Sequence, residues 1–178
     1  APFTSGVFEI SCILDVIKEG RASLTTSFSC FQYMSLYSAI QFVTVTILYS
    51  RGTNLGDFQF LYIDLFLIVP IAIFMSWSKP YHKLVKKRPS ANLVSPKILV
   101  PLIVSISVIL AFQLIPWIIV QSAEWYKSPV VGGDDAVQSS DNTVLFFFSN
   151  FQYVLTAIVL SVGPPYREPM SKNIGFIT

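Results

Sequence analysis

Four apolar runs restrict this chain to the class of membrane-spanning helical proteins. They cover residues 30–49, 58–77, 98–121 and 143–162. An α-helix rises about 1.5 Å per residue, so about 20 apolar residues cross the ~30 Å hydrocarbon core of a bilayer. Only 12% of the residues are charged and 53% are hydrophobic, which is unlike a soluble domain. We therefore predict an all-α bundle with four transmembrane spans.

The charges of the connecting segments predict how the bundle is oriented. The loop between the second and third runs holds six Lys and Arg residues and no acid, whereas the loop between the third and fourth runs holds four acids and one Lys. An excess of Lys and Arg marks the cytosolic side of a membrane. We predict that both termini and the basic loop are cytosolic.

The same basic loop contains a cluster that is typical of contact with anionic lipids: Lys83, Lys86, Lys87 and Arg88. The alternative is that these charges only fix the topology. The net charge of +2 gives no indication of nucleic acid as a partner.

The segment before the first span has an amphipathic pattern of its own. Residues 10, 13, 14 and 17 are apolar and recur at helical spacing, and Gly20 predicts the end of that helix. Thr25, Thr26 and Ser27 offer capping side chains ahead of the first span. The chain begins without Met, and residues 1–20 do not have the pattern of a secretory signal. We therefore interpret it as an excerpt of a longer protein, with a cytosolic segment at 1–27 and a bundle at 28–163. Residues 164–178 would be a cytosolic tail or the start of the next connection.

An acid inside the second run is the clearest functional signal. Asp64 lies about 9 Å below the nearer end of its span, where a charge costs a few kcal/mol and by default marks an ion or substrate path. The alternative is a structural ion pair, or a protonated and hydrogen-bonded acid. Pro70 follows six residues later, either as a packing kink or as a break that lines a wet cavity.

Polar side chains on the first run can face this acid. One helical stripe there comprises Tyr33, Tyr37, Gln41 and Thr44, and one stripe of the second run comprises Asp57, Phe60 and Asp64. The short connection makes the two runs antiparallel neighbours. If the stripes face each other, the cleft combines phenols, an amide and carboxylates, which suits an organic cation better than a metal ion. The alternatives are interhelical hydrogen bonds for the first stripe and a helix cap for Asp57.

Further polar residues occur in the third and fourth runs: Gln113, Asn150, Gln152 and Tyr153. We interpret them chiefly as interhelical hydrogen-bonding groups, and the alternative is that they line the same cavity as Asp64. No nucleotide-binding loop, hydrolase motif or metal-ligand spacing occurs in the sequence. We predict no catalytic residue, no metal ligand and no cofactor within these 178 residues.

Five stretches carry a resemblance to a known family: EGRASLTTSF (Glu19–Phe28), YMSLYS (Tyr33–Ser38), TNLGDFQFLYID (Thr53–Asp64), FFSNFQY (Phe147–Tyr153) and GPPYREP (Gly163–Pro169). In these stretches the chain resembles the fifth class of P-type ATPases. Within that class it resembles the B branch, the polyamine exporters of late endosomes, lysosomes and fungal vacuoles. The resemblance covers nearly the whole chain.

The resemblance implies a role for each part of the chain. Residues 1–27 would be the end of the phosphorylation domain and its linker, and the four spans would be the fifth to eighth membrane helices. The implied polyamine contacts are Tyr37, Gln41, Phe60, Asp64 and Asp57. The full-length protein would use ATP and Mg²⁺ to move polyamine from the lumen to the cytosol, whereas this chain alone would lack ATPase activity. The alternatives are a non-catalytic channel or membrane helper, and the A branch, which dislocates transmembrane helices.

Overall fold

Helices account for the regular structure of the computed structural model, which describes residues 4, 6, 9–89, 92, 94–129, 138–161, 163–173 and 175. The side chain of Lys97 is outside this description. The helices are α1 (Ser11–Ser50), α2 (Asp57–Tyr62), a π-helix (Ile63–Ile68), α3 (Val69–Ser76), α4 (Pro96–Gln121), α5 (Ser140–Leu160) and a 3₁₀ turn (Met170–Lys172).

Four helical segments are long and apolar enough to cross a membrane: Ser11–Ser50, Asp57–Ser76, Ile98–Gln121 and Ser140–Leu160. The prediction of an all-α protein with four spans is confirmed within the described residues. The middle of the acidic loop, residues 130–137, lies outside them, as do Val162 at the predicted end of the fourth run and residues 176–178 of the predicted tail.

The first helix is longer than the sequence pattern predicts, since α1 runs for 40 residues without a break. The predicted end at Gly20 is wrong, because one internal glycine costs only about 1 kcal/mol relative to alanine in a helix. The hydroxyls of Thr25, Thr26 and Ser27 donate to carbonyls four residues earlier, at 2.9, 2.8 and 3.0 Å, and therefore do not cap a new helix. No helix break occurs between residues 27 and 28, where the boundary between the N-terminal segment and the bundle is predicted. That domain boundary stays a prediction.

A tight turn joins α1 to α2 and sets the two helices antiparallel. The amide of Thr53 donates to the carbonyl of Leu48 at 3.1 Å and that of Gly52 donates to Tyr49 at 3.0 Å, which is a Schellman motif. Gly52 has a φ of 71°, a left-handed conformation that glycine adopts without steric cost. The side chain of Gln59 accepts from the Gly56 amide at 2.8 Å and thereby caps α2.

The longest helix also lies at the centre of the bundle, where α1 contacts α3, α4 and α5. Two apolar clusters fill the interior: one includes Tyr33, Leu36, Ile40, Ile63 and Tyr153, and the other comprises Val43, Ile47, Leu48, Leu55 and Leu145. Both clusters draw on α1, so this helix determines where its neighbours sit.

A buried polar network ties three helices together beside these clusters. Gln113 of α4 donates to Gln152 of α5 at 2.9 Å and accepts from Thr44 of α1 at 3.2 Å. Gln113 also donates to the Ile40 carbonyl at 3.3 Å, and Gln152 donates to the Ile109 carbonyl at 3.1 Å. The interpretation of Gln113 and Gln152 as interhelical hydrogen-bonding groups is confirmed.

The segments that follow α3 and α5 pack together at one end of the bundle. The Tyr81 amide donates to the Tyr166 carbonyl at 3.0 Å, and the Glu168 amide donates to the Lys79 carbonyl at 3.0 Å. Arg167 between them is 1% exposed and donates to the carbonyl of Met75. Burial lowers the pKa of the Arg167 guanidinium, since desolvation disfavours its charged form. Arg21 of α1 donates to the Val85 carbonyl and joins this end to the long helix.

Aromatic and charged side chains contact one another at the opposite end of the bundle. The Arg51 guanidinium lies 5.3 Å from the ring centroid of Trp117, a cation–π contact. The Tyr126 hydroxyl donates to the buried carboxylate of Asp141 at 2.9 Å. Burial, together with this bond and the charge of Asp141, raises the pKa of Tyr126.

Candidate functional site

The acid that stands out in the sequence is hydrogen-bonded across the helix interface. The hydroxyl of Tyr37 on α1 donates to the Asp64 carboxylate in the π-helix, with the two oxygens 2.6 Å apart. Asp64 is exposed and Tyr37 is partly buried, so the pair lies at the edge of the bundle. No salt bridge involves Asp64 among the described residues, which gives no support to a structural ion pair.

The remaining predicted site residues lie at different distances from this pair. Gln41 lies one turn after Tyr37 on the same face of α1. Phe60 packs instead against the cluster that contains Leu48 and Leu145. Asp57 is the exposed first residue of α2, and the cap of that helix is supplied by another residue, Gln59. The structure therefore brings together Tyr37 and Asp64, and it places Gln41 one turn further along α1. Phe60 and Asp57 lie earlier on the helical segment that carries Asp64.

Helix geometry changes at the acid itself. Residues Ile63–Ile68 form a π-helix, in which the Val69 amide donates to the Asp64 carbonyl five residues earlier. Pro70 follows as the second residue of α3 and has no amide to donate. Such wide turns are rare and frequently accompany functional sites. The sequence signal was the proline, which predicts a disturbed helix but not which kind.

The sequence does not single out Gln59, and it predicts Tyr153 chiefly as an interhelical hydrogen-bonding group and alternatively as part of the cavity lining. Gln59, besides capping α2, accepts from the Asn142 side chain of α5 at 3.0 Å and so fixes the start of the second span against the fourth. Tyr153 of α5 packs its ring on Tyr37, with the ring centroids 5.6 Å apart. The glutamine carries no pattern that distinguishes it from a solvated residue, whereas the tyrosine lies in a visibly polar stretch of an apolar run.

The chemistry of this arrangement favours a cation of low charge density. The Asp64 carboxylate can neutralise an ammonium group, and the ring of Tyr37 and the amide of Gln41 can contact it and its neighbouring methylene carbons. No cluster of three or more His, Cys, Asp or Glu residues that could hold a metal ion occurs among the described residues.

Comparison with known proteins identifies the lineage of the chain. It is 80% identical over 177 residues to the vacuolar cation-transporting ATPase YPK9 of Saccharomyces cerevisiae, an alignment that covers 99% of this chain. The chain belongs to the B branch of the fifth-class P-type ATPases. This confirms the resemblance found in the sequence.

More distant members of this ATPase branch match over the same length. The chain is 41% identical over 179 residues to polyamine-transporting ATPase 13A2 of Mus musculus and 38% identical over 200 residues to polyamine-transporting ATPase 13A3 of Homo sapiens. It spans 12% of the length of the yeast protein and 15–16% of the length of these two. No family model matches the chain.

Proposed function

We propose that this chain is the membrane portion of an ATP-driven transporter that moves polyamines, such as spermine and spermidine, from the lumen of the vacuole or lysosome to the cytosol. The observation that carries the proposal is the 2.6 Å hydrogen bond between Tyr37 and Asp64 inside a membrane-spanning segment. ATP and Mg²⁺ would act in parts of the full-length protein outside this chain.

Each residue of the proposed site has a distinct role. Asp64 neutralises an ammonium group of the substrate, and Tyr37 offers a ring face while its hydroxyl orients the carboxylate. Gln41 provides a neutral acceptor at about the middle of the first span. Phe60 and Asp57 precede Asp64 on the same helical segment, and we assign them to the lumenal approach, where the exposed acid attracts the polycation.

The direction of transport requires a defined orientation of the bundle. We propose that both termini and the basic loop are cytosolic, because Lys and Arg are concentrated there. The turn at residues 50–57 and the loop between α4 and α5 then face the lumen. Names of relatives that specify the vacuole and the transport of cations or polyamines support the proposed membrane and substrate class.

Transport by membrane vesicles tests the proposal. We expect full-length protein, in vesicles with the cytosolic face outward, to hydrolyse ATP faster with spermine in the lumen and to release labelled spermine in an ATP-dependent manner. Potassium or calcium at matched ionic strength should not stimulate hydrolysis. In the same vesicles, an impermeant maleimide added outside should label Cys12 near the start of α1.

Two other results would redirect the assignment. Cation conductance without ATP would favour a channel, and stimulation by a transmembrane peptide but not by spermine would favour the helix-dislocating branch. Protection of Cys12 from external maleimide, in vesicles of verified sidedness, would contradict the orientation.

We also propose membrane lipids as partners of the basic loop between α3 and α4. A cavity of about 310 Å³ lies where this loop meets α1, and its lining includes Lys87, Arg88 and the polar side chains of Thr25, Ser29 and Gln32. We propose that Lys83, Lys86, Lys87 and Arg88 contact anionic headgroups, with a headgroup phosphate beside this cavity.

Charge removal at the loop should weaken the response to anionic lipid. Each basic residue near such a surface contributes about 1 kcal/mol, so the double variant Lys87→Gln/Arg88→Gln should need roughly 30-fold more phosphatidylserine for the same ATPase rate. Reconstitution in phosphatidylcholine with increasing phosphatidylserine measures this. The control Lys127→Gln, in the loop at the opposite end of the bundle, should behave like the unmodified protein. Equal losses in the two variants would contradict the proposal.

A further inference from the structure

A buried aromatic ring on α5 supports the side chain that contacts Asp64. Tyr153 is 1% exposed, and its ring lies 5.6 Å from that of Tyr37 between centroids, with the planes inclined at 46°. Tilted pairs at this spacing are favourable, because the positive edge of one ring approaches the negative face of the other. Tyr37 is thus held at two points, with its hydroxyl on Asp64 and its ring on Tyr153.

The position of Tyr153 is determined without help from Tyr37. Its neighbour Gln152 is fixed by hydrogen bonds to α4, at 2.9 Å to Gln113 and 3.1 Å to a backbone carbonyl. Ser149 and Ala157, one turn to either side of Tyr153, are buried as well. The rotational setting of α5 therefore places the Tyr153 ring, and the more exposed Tyr37 adapts to it.

A second buried tyrosine lies on the same face of α1 as Tyr37. Tyr33 lies one turn before Tyr37 on α1, is 1% exposed and belongs to the same apolar cluster as Tyr153. Its buried hydroxyl has no hydrogen-bond partner among the described residues. Because Tyr33 and Tyr153 occupy the interior, the Tyr37 side chain is directed outward, toward Asp64.

We propose that Tyr153 is a positioning residue of the cation site, acting through Tyr37. Its ring keeps Tyr37 in the rotamer whose hydroxyl donates to Asp64, so that the carboxylate is oriented before the substrate arrives. Loss of the ring lets Tyr37 leave Asp64, and the substrate must then organise the site on binding, which weakens affinity. This inference rests on the proposed function, since it is expressed as affinity for polyamine.

Substitutions at Tyr153 in the full-length protein test this role. Tyr153→Leu should raise the KM for spermine about two- to tenfold, the range that one aromatic pair contributes, and change kcat by less than about twofold. Tyr153→Phe keeps the ring and should restore the KM. Phe151→Leu makes the same kind of exchange at a 60% exposed position of α5 and should leave the KM unchanged.

A double-mutant cycle separates positioning from general packing. If Tyr153 acts through Tyr37, Tyr153→Leu should no longer raise the KM in a Tyr37→Leu background. An equal increase in both backgrounds, or a loss of folded protein and kcat with an unchanged KM, would overturn the proposal.

A structural readout keeps this inference separate from the proposed function. In a cryo-EM map of the Tyr153→Leu protein, the Tyr37 hydroxyl should no longer lie within hydrogen-bonding distance of Asp64. Its retention there would refute the positioning role, whatever the substrate proves to be. Absence of spermine stimulation in the unmodified protein would refute the proposed function alone.

Discussion

Asp64→Asn in the full-length protein is expected to abolish spermine-stimulated ATP hydrolysis. The substitution removes the negative charge that would pair with an ammonium group of bound spermine. Truncating one partner of a charge pair that is desolvated in a complex weakens binding by about 2–5 kcal/mol. That range corresponds to roughly 30- to 5,000-fold in affinity, so stimulation should be lost at spermine concentrations that saturate the unmodified protein. Under the proposed function, ATP should still phosphorylate the full-length protein, because that step would take place outside this chain, but spermine should no longer accelerate dephosphorylation.

The asparagine variant should also fold, which makes the experiment decisive. Its side-chain oxygen can still accept the hydrogen bond that the Tyr37 hydroxyl donates at 2.6 Å in the unmodified protein. The same exchange at Asp15, a 76% exposed side chain paired with Lys18, serves as a control and should leave stimulation intact. Spermine stimulation of normal size in the Asp64→Asn protein would remove the basis of the proposed site.

The number of spans and the significance of Asp64 can both be predicted from the sequence, because both depend on large transfer free energies. Burial in lipid requires about 20 apolar residues per helix, and a charge in that setting is costly enough to stand out at Asp64. The pairing of Asp64 with Tyr37 cannot be predicted from the sequence in the same way. Helical spacing places Tyr37 and Gln41 on one face of α1, but only the packing of the helices determines which residue on that face meets the acid.

Other features could not be predicted because their partners are backbone groups far away in sequence. Arg167 reads as a charged tail residue, yet it is buried against the carbonyl of Met75, 92 positions earlier. The π-helix could not be predicted for a different reason. Five of its six residues are apolar, so their pattern does not distinguish 3.6 residues per turn from a wider helix. Gly20 shows the opposite case, in which a local signal for a helix end is too weak to prevail.

The long helix α1 carries both residues of the proposed site and residues of the buried polar network, and the two sets lie on adjacent turns. Tyr37 and Gln41 face the edge of the bundle, and Ile40 and Thr44 beside them take part in the polar network with Gln113. A displacement of α1 along its axis would therefore move the site relative to α4 and α5 or break that network. We infer that the network holds the first, third and fourth spans together beside the proposed site.

Gln113→Leu should therefore destabilise the whole membrane bundle. Leucine fills a similar volume, but it removes the hydrogen bonds to Thr44, Gln152 and the Ile40 carbonyl. Hydrogen bonds between membrane helices contribute about 0.6 kcal/mol each on average, so the expected loss is about 2 kcal/mol. For a unit of about 150–250 residues this corresponds to a fall of about 4–8 °C in the thermal midpoint of the membrane bundle, measured in detergent on the full-length protein.

The control for this variant lies on the same helix. Gln121 ends α4, and its buried side-chain nitrogen has no hydrogen-bond partner among the described residues. Gln121→Leu makes an identical exchange without removing a bond of that nitrogen, so the midpoint should stay the same or rise slightly. If the two variants lowered the midpoint equally, side-chain volume would explain the effect. The polar network would then contribute nothing specific to the packing of α1 against α4 and α5.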